Sequence, residues 1–167
     1  MAKQAKRQLA GSGEAIPSGA IGEEKIAYGT SVATSVANTE IDVPGASITL
    51  EPGVWDLEYS ADVFIERAAV GAAVVGRTRI TDSSNTGESG TEGVIYLVFN
   101  TVVAISIGNC ISKKKRVTIT SGNKTYKLRI VANTNTADAR LYAGVNELTG
   151  GISGNESSTF IRAVRIA

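Results

Sequence analysis

The chain has 167 residues, with 17 Lys and Arg against 16 Asp and Glu, no His and one Cys. A chain of this length forms one domain with a self-supporting core, and a net charge of +1 argues against a broadly basic nucleic-acid-binding protein. The absence of His and of a second Cys excludes His-dependent catalytic triads, Cys–His pairs and multi-thiolate zinc sites. The composition is instead rich in β-forming residues, with 16 each of Val, Ile and Thr. We therefore expect strands joined by turns, and a protein that is neither an enzyme nor dependent on a cofactor.

The first 19 residues form a polar zone of their own. Their charged side chains are all basic as far as Glu14, and two Gly- and Ser-containing stretches follow. A helix of two or three turns within residues 2–10 would be marginal in water unless a surface held it. We interpret residues 1–19 as a basic arm that anchors the protein to a partner, with a solvated flexible terminus as the alternative. The anchoring side chains would be Lys3, Lys6, Arg7 and Leu9.

Residues 20–167 are predicted to form one β domain. The clearest strand is 54–65, in which apolar residues alternate with polar ones over a dozen positions. Its apolar positions Trp55, Leu57 and Tyr59 mark the expected core. A short strand at 47–50 precedes a Pro52-Gly53 turn, so residues 46–65 are predicted to form a hairpin.

Further strands follow along the chain. A second hairpin is expected around the turn at 121–124, and the last strand alternates to the final residue, which predicts a central place in a sheet. In the middle of the chain, only residues 66–75 could hold a turn of helix. Strands at roughly ten-residue spacing without helices predict an antiparallel sandwich or barrel. The remaining candidates are 74–80, 94–99, 102–107, 116–120, 125–132, 140–145 and 159–167.

One concentrated charge run stands out, formed by Lys113, Lys114, Lys115 and Arg116. The run could contact phosphates or an acidic partner. Our preferred interpretation is a gatekeeper that keeps a sheet edge from pairing with other chains. The lone Cys110 is expected to be a small buried side chain. The acidic residues of strand 54–65 (Asp56, Glu58 and Asp62) are expected to form a solvated face.

Three segments carry a resemblance to a known family: the lead-in Ser18–Glu23, the stretch Ile48–Val63 and the ending Phe160–Ala167. Together they resemble small jelly-roll domains of tailed-bacteriophage virions, in which an S-x-x-x-G-E lead-in, an L-x-x-G-x-W hairpin and a terminal A-x-R-I strand recur. The resemblance implies an all-β, antiparallel jelly-roll sandwich over residues 20–167. It also implies a structural role in the virion, often as a trimer.

The arm favours one role among those that the resemblance offers. We expect a capsid decoration protein on the outer surface of the head, assembled in the host cytoplasm, which binds the major capsid protein or another virion protein. We expect it to self-associate, as a trimer rather than a dimer, and to bind neither nucleic acid directly nor a membrane. The first alternative is a tail-fibre or head-fibre tip that binds a receptor or glycan through loops 81–93, 133–138 and 150–158. The second is a shell protein that packages a small genome, although three basic residues in the first ten are few for that purpose.

Overall fold

A computed structural model describes residues 18–30, 32–33, 37–67, 74–97, 105–134, 139–143 and 159–167. These residues form ten β-strands and no helix, which confirms the predicted all-β fold. No helix that could cross a membrane occurs in this part of the chain. The strands are β1 Glu24–Tyr28, β2 Val32–Ala33, β3 Ile41–Leu50, β4 Gly53–Arg67, β5 Val74–Asp82, β6 Gly93–Leu97, β7 Ile105–Ile119, β8 Lys124–Thr134, β9 Ala139–Ala143 and β10 Phe160–Arg165.

Two antiparallel sheets pack face to face as a sandwich. The first sheet has β4 at its centre, with β7 along the full length of one side. On its other side, β4 pairs with β10 over its first half and with β9 over its second half, and β1 and β2 continue from these strands. The second sheet has the order β3-β8-β5-β6. The orders β1-β10-β4-β7 and β3-β8-β5-β6 are those of a jelly-roll sandwich.

Both predicted hairpins are wrong in their pairing. The Pro52-Gly53 connection takes the chain from β3 in the second sheet to β4 in the first, and residues 120–123 take it from β7 back to β8. In a hairpin the apolar side chains would share one face of one sheet. Here the two strands lie in different sheets, and the apolar face of each one packs in the core against the other sheet. The alternation of apolar and polar residues is the same in a hairpin and in a crossing between sheets, so it could not distinguish them.

Strand β7 is longer than the sequence pattern indicated. We predicted separate strands at 102–107 and 116–120, but one strand of 15 residues runs from Ile105 to Ile119. It pairs residue by residue with β4, which is equally long, so the polar run in its middle still has a backbone partner at each position. The suggested helical turn at 66–75 is also wrong at both ends, which lie in β4 and β5, and 68–73 fall outside the described residues.

The core lies between the two sheets and was correctly predicted at its centre. Trp55 and Leu57 are fully buried, and only 1% of Tyr59 is exposed. They face apolar residues of β3, β5 and β8 such as Leu50, Ile80 and Leu128. The prediction that the last strand is central is confirmed, because β10 lies between β1 and β4.

The sandwich has two ends, which we call the near end and the far end. The near end carries the lead-in Ser18–Glu23, residues 166–167 and the connections after β3, β5 and β7. Strand directions put the ends of β1, β4, β6 and β8 and the start of β10 at the far end. The predicted loop 81–93 therefore lies at the end opposite to residues 133–134 and Thr159. Of the three loops in the receptor-binding alternative, residues 135–138 and 150–158 lie outside the described residues.

Candidate functional site

A cluster of charged side chains around one tryptophan lies at the near end, and we call it the terminal cluster: Glu23, Lys25, Glu51, Trp55 and Arg165. The Arg165 guanidinium lies 5.3 Å from the centroid of the Trp55 ring. Its Nη2 donates a 2.6 Å hydrogen bond to the carbonyl oxygen of Pro52, and its Nη1 lies 3.8 Å from Glu23 Oε2. Gly53, which has a φ of +153° that residues with a side chain rarely adopt, lies directly beneath this guanidinium.

Glu23 is the buried carboxylate of the terminal cluster, with only 6% of the residue exposed. Its Oε2 accepts a 2.7 Å hydrogen bond from the backbone N–H of Gly19, and its Oε1 lies 3.7 Å from Lys25 Nζ. Backbone hydrogen bonds of 2.8 Å join Gly22 N–H to the carbonyl of Arg165, and Arg165 N–H to the carbonyl of Glu23. A buried carboxylate is stable only when cations and N–H groups surround it, so these contacts fix the lead-in to β10.

The second flank of Trp55 is closed by Lys25. Its Nζ lies 5.8 Å from the ring centroid and donates to the carbonyl oxygen of Thr49 at 3.2 Å. Glu51 completes the cluster, because its carbonyl accepts a 3.0 Å hydrogen bond from Trp55 Nε1 and its carboxylate accepts one from Ser18 Oγ at 3.4 Å. All three sequence segments that carried the resemblance therefore meet at this one corner.

The predicted anchoring residues Lys3, Lys6, Arg7 and Leu9 lie outside the described residues. Of the predicted arm, the structure describes Ser18 and Gly19, which are bound to the near end through Glu51 and Glu23. They lie beside the connection between β3 and β4, where the backbone of residues 166–167 bonds to Val54.

The basic run lies in the second half of β7, directly opposite β4. Lys114 Nζ and Arg116 Nε lie 3.3 and 3.0 Å from the carboxylate of Asp56, and hydrogen bonding from Arg116 lowers the pKa of that carboxyl. Lys115 Nζ lies 3.2 Å from Glu88 Oε2. Within the described residues β7 pairs only with β4 and is the edge of its sheet, as a gatekeeper requires. Three of the four cations thus have a carboxylate partner within the domain, although Lys114 and Arg116 share one, so the run keeps a net positive charge.

The acidic face of β4 is part of an ion network instead of being free in solvent. Arg162 on β10 bridges two carboxylates, with 2.7 Å from its Nε to Glu24 Oε1 and 2.8 Å from its Nη1 to Glu58 Oε1. The hydrogen bonds to Glu24 and Glu58 raise the pKa of this guanidinium. The outer face of the first sheet is therefore held together across β1, β10 and β4 by charge.

The prediction that Cys110 is buried is wrong. Its side chain is exposed, and its Sγ lies 3.3 Å from Ser60 Oγ. Cys110 pairs with Asp62, and even-numbered positions of β7 point outward while Ile111 and Val117 point into the core. The register of the long strand, which the sequence did not indicate, determines this orientation.

The connection between β5 and β6 contributes more to the fold than its polar sequence suggested. Thr91 is fully buried, and its Oγ1 accepts a 3.1 Å hydrogen bond from the backbone N–H of Ile80. Glu88 Oε1 lies 2.8 Å from Lys124 Nζ, and the same carboxylate also pairs with Lys115. Burial tends to raise the pKa of Glu88, but the hydrogen bonds from Lys124 and Lys115 prevail and lower it. This connection is therefore bound to β7 and β8 at the near end.

The sequence gave no signal for a second ion network, on the outer face of the second sheet. Glu40 accepts two hydrogen bonds from Arg79, from Nε at 2.6 Å and from Nη2 at 2.9 Å, and a third from Arg129 Nη1 at 2.9 Å. The bond from Arg79 to Glu40 raises the pKa of the Arg79 guanidinium. Glu40 lies just before β3 in a turn-like stretch, and only the sheet order brings it to both arginines.

No group of three or more His, Cys, Asp or Glu side chains in the described part of the chain could hold a metal ion. What the described residues offer instead is the terminal cluster, two sheet faces with ion networks, and exposed apolar side chains.

No protein-family model matches the chain, and no curated protein sequence matches it. Among solved structures, the chain is similar to Eiger TNF from S. frugiperda, with 12% sequence identity, a TM-score of 0.50, and coverage of 89% of this chain and 94% of that one. A weaker similarity is to the infectious bursal disease virus Gx strain structure, with 10% identity, a TM-score of 0.37 and coverage of 88% of this chain and 39% of that one. Likeness to Eiger TNF at this identity shows the fold alone. The chain has the fold of a jelly-roll-like β sandwich.

Proposed function

We propose that this protein is a structural virion component, a capsid decoration protein that binds the outer surface of a bacteriophage head. Its partner is the major capsid protein or another virion protein, and its arm, residues 1–19, reaches into the shell. The three segments that resemble phage jelly-roll domains support this role, since they coincide with the terminal cluster.

The terminal cluster is the observation that carries the proposal. A basic segment without a core of its own gains free energy only from what it binds, and the ordering cost is smaller when its origin is fixed. Glu23, Arg165 and the hydrogen bond to Gly19 N–H fix that origin at the near end. The near end thus faces the shell in the proposed arrangement, and the far end faces outward.

The mechanism in this proposal is passive binding. The decoration protein adds binding free energy to the assembled shell and none to the separated subunits, so it stabilises the assembled state by mass action. Self-association as a trimer places three arms on neighbouring shell subunits, which raises the effective concentration of each arm once the first is bound.

The test is removal of the arm. Deleting residues 2–13 leaves Ser18 and the terminal cluster in place, so the domain is expected to fold, with an unchanged far-ultraviolet circular dichroism spectrum. The shortened protein is expected to lose co-sedimentation with shells prepared without this chain. A full-length variant with Lys3, Lys6 and Arg7 replaced by Ala separates the contribution of charge from that of the rest of the arm.

The control is a full-length variant with Lys113 and Lys114 replaced by Ala, which alters the other basic segment and is expected to bind shells like the wild type. Undiminished binding by the shortened protein would refute the anchoring role of the arm. Binding of the full-length protein to host cells or glycans, with none to shells, would support the fibre-tip alternative instead.

A further inference from the structure

Exposed apolar side chains in the described residues are concentrated on two strands at sheet edges. On β1, Ile26 and Tyr28 are 41% and 57% exposed, and on β6, Val94 and Tyr96 are 55% and 63% exposed. The remaining large exposed apolar side chain is Ile21 in the lead-in. Exposure of this kind, gathered in two places, is typical of surfaces that another protein covers.

The first patch, patch 1, is on the outer face of the first sheet. Tyr28 pairs with Phe160, and their rings make an edge-to-face contact with centroids 6.4 Å apart. The alternation of buried Ile161 and Ala163 with half-buried neighbours shows that the even-numbered residues of β10 face outward. Patch 1 therefore consists of Ile26, Tyr28, Phe160 and Val164.

The second patch, patch 2, is on the outer face of the second sheet. Tyr96 pairs with Val75 on β5, and Val94 pairs with Arg77, which in turn pairs with Val131 on β8. The residue between the two exposed ones, Ile95, is buried in the core, so both exposed side chains point outward. Patch 2 therefore consists of Val75, Val94, Tyr96 and Val131.

The two patches lie on opposite sides of the sandwich. Strand β1 lies against β3, whereas β6 lies against β7 at the other lateral edge. Their heights along the strands overlap only in part. Ser60 pairs with Phe160 in the row of Tyr28, and its neighbour Tyr59 bonds through its hydroxyl to Thr78, the residue next to Arg77 in the row of Val94. From this level patch 1 extends toward the near end through Ile26 and Val164, and patch 2 extends toward the far end through Tyr96. A head-to-tail contact joins two different surfaces of identical chains, and patches on opposite sides of the sandwich meet that condition.

The charges around the patches are complementary. Among the side chains that the structure describes on the outer face of the first sheet, four carboxylates accompany three basic groups, which leaves one negative charge; they are Glu24, Asp56, Glu58, Asp62, Lys114, Arg116 and Arg162. On the outer face of the second sheet, four basic side chains accompany three carboxylates, which leaves one positive charge; they are Arg77, Arg79, Lys127, Arg129, Glu40, Asp42 and Glu92. Two copies of the same face would repel each other weakly, whereas the first face of one copy attracts the second face of another.

We infer that patch 1 of one copy binds patch 2 of the next copy of the same chain, in a head-to-tail interface. The occupant of each patch is thus a second copy of this protein. This interface gives the self-association in the proposed function a definite surface, yet it does not require the shell.

The test uses one charged substitution in each patch. Tyr28→Arg puts a positive charge where the positive face of the neighbour would lie, and Tyr96→Glu puts a negative charge against the negative face. Each variant is expected to sediment as a single chain at concentrations where the wild type is associated. Ser47→Glu and Thr118→Arg, at exposed strand positions outside both patches, are the matched controls and are expected to associate like the wild type.

Mixing the two variants distinguishes this interface from its alternatives. Tyr28→Arg retains an intact patch 2 and Tyr96→Glu retains an intact patch 1, so an equimolar mixture is expected to regain association. A symmetric contact between two copies of patch 1 would leave Tyr96→Glu associated on its own, and that result would overturn the inference. So would a wild type that stays a single chain up to its solubility limit.

Shell binding separates this inference from the proposed function. A single-chain wild type that still co-sediments with shells would refute the interface and leave the decoration role intact. An associated wild type that fails to bind shells would refute the decoration role and leave the interface intact.

Discussion

The hydroxyl of Tyr59 joins the two sheets through the middle of the core, and its removal tests how the sandwich is held together. It lies 2.8 Å from Thr78 Oγ1 and donates to the carbonyl oxygen of Thr91 at 3.0 Å. Tyr59→Phe removes the hydroxyl and keeps the ring, so apolar packing is preserved. Thr78 Oγ1 and the Thr91 carbonyl, both buried, would each lose a partner.

The expected cost follows from the desolvation of those two groups. A buried hydrogen-bonding group left without a partner costs about 1–3 kcal/mol, and the ring itself remains in place, so we expect a loss of about 2 kcal/mol in the free energy of unfolding. With a urea dependence of about 2 kcal/mol per molar, the midpoint of unfolding would fall by about 1 M.

Burial raises the pKa of Tyr59 to about 12. The stabilisation from the neutral hydroxyl is therefore fully present below pH 10 and is lost only as the pH rises toward 12. The difference between wild type and Tyr59→Phe should accordingly be constant across the neutral range.

Equilibrium unfolding in urea, followed by the fluorescence of the single tryptophan, measures this difference. Tyr28→Phe is the control, since its ring is 57% exposed, and it is expected to change stability by less than about 0.5 kcal/mol. The reasoning would be refuted if Tyr59→Phe unfolded within that same margin of the wild type.

Two further substitutions test the core and the near end. Trp55→Ala is expected to lower the free energy of unfolding by about 3–5 kcal/mol because the side chain is fully buried. Urea unfolding followed by circular dichroism measures this loss. Ready quenching of the native Trp55 fluorescence by iodide would contradict the burial of Trp55. Because Lys124 and Lys115 lower the pKa of Glu88 from 4.5, its stabilisation is present above about pH 4.5 and is lost as the pH falls through the lower folded pKa. Between about pH 5 and pH 3, thermal unfolding is thus expected to show a smaller loss of stability for Glu88→Gln than for the wild type. Glu92→Gln is the control and is expected to keep the wild-type pH dependence. Equal losses for Glu88→Gln and the wild type would contradict this role of Glu88.

The sequence predicted the strands that alternate regularly and the residues of those strands that face the core. Period-2 alternation is a property of a single strand, so Trp55, Leu57 and Tyr59 could be assigned to the core without knowledge of any neighbour. The same alternation identified β10, and because it runs to the end of the chain it predicted that neighbouring strands hold β10 in place.

Pairing between strands could not be predicted in this way. A Pro-Gly turn reverses the chain whether the next strand joins the same sheet or the opposite one, and both predicted hairpins proved to be crossings between sheets. The exposure of Cys110 and the gathering of two arginines on Glu40 both depend on register, which forms only when distant segments pair. The terminal cluster was recognisable only as three separate segments.

The order of the first sheet has a consequence for how the protein is made. Glu24 and Arg162 are ion-paired although 138 positions separate them, and β10 occupies the place between β1 and β4. The first sheet therefore cannot close until residues 160–165 have left the ribosome, and such non-local pairing makes folding slow, on a scale of about milliseconds to seconds. During that interval Lys25, Trp55 and Glu51 lack Arg165, so the arm is synthesised long before its origin is fixed. In the proposed decoration role, binding through an arm whose origin is fixed therefore follows completion of the first sheet.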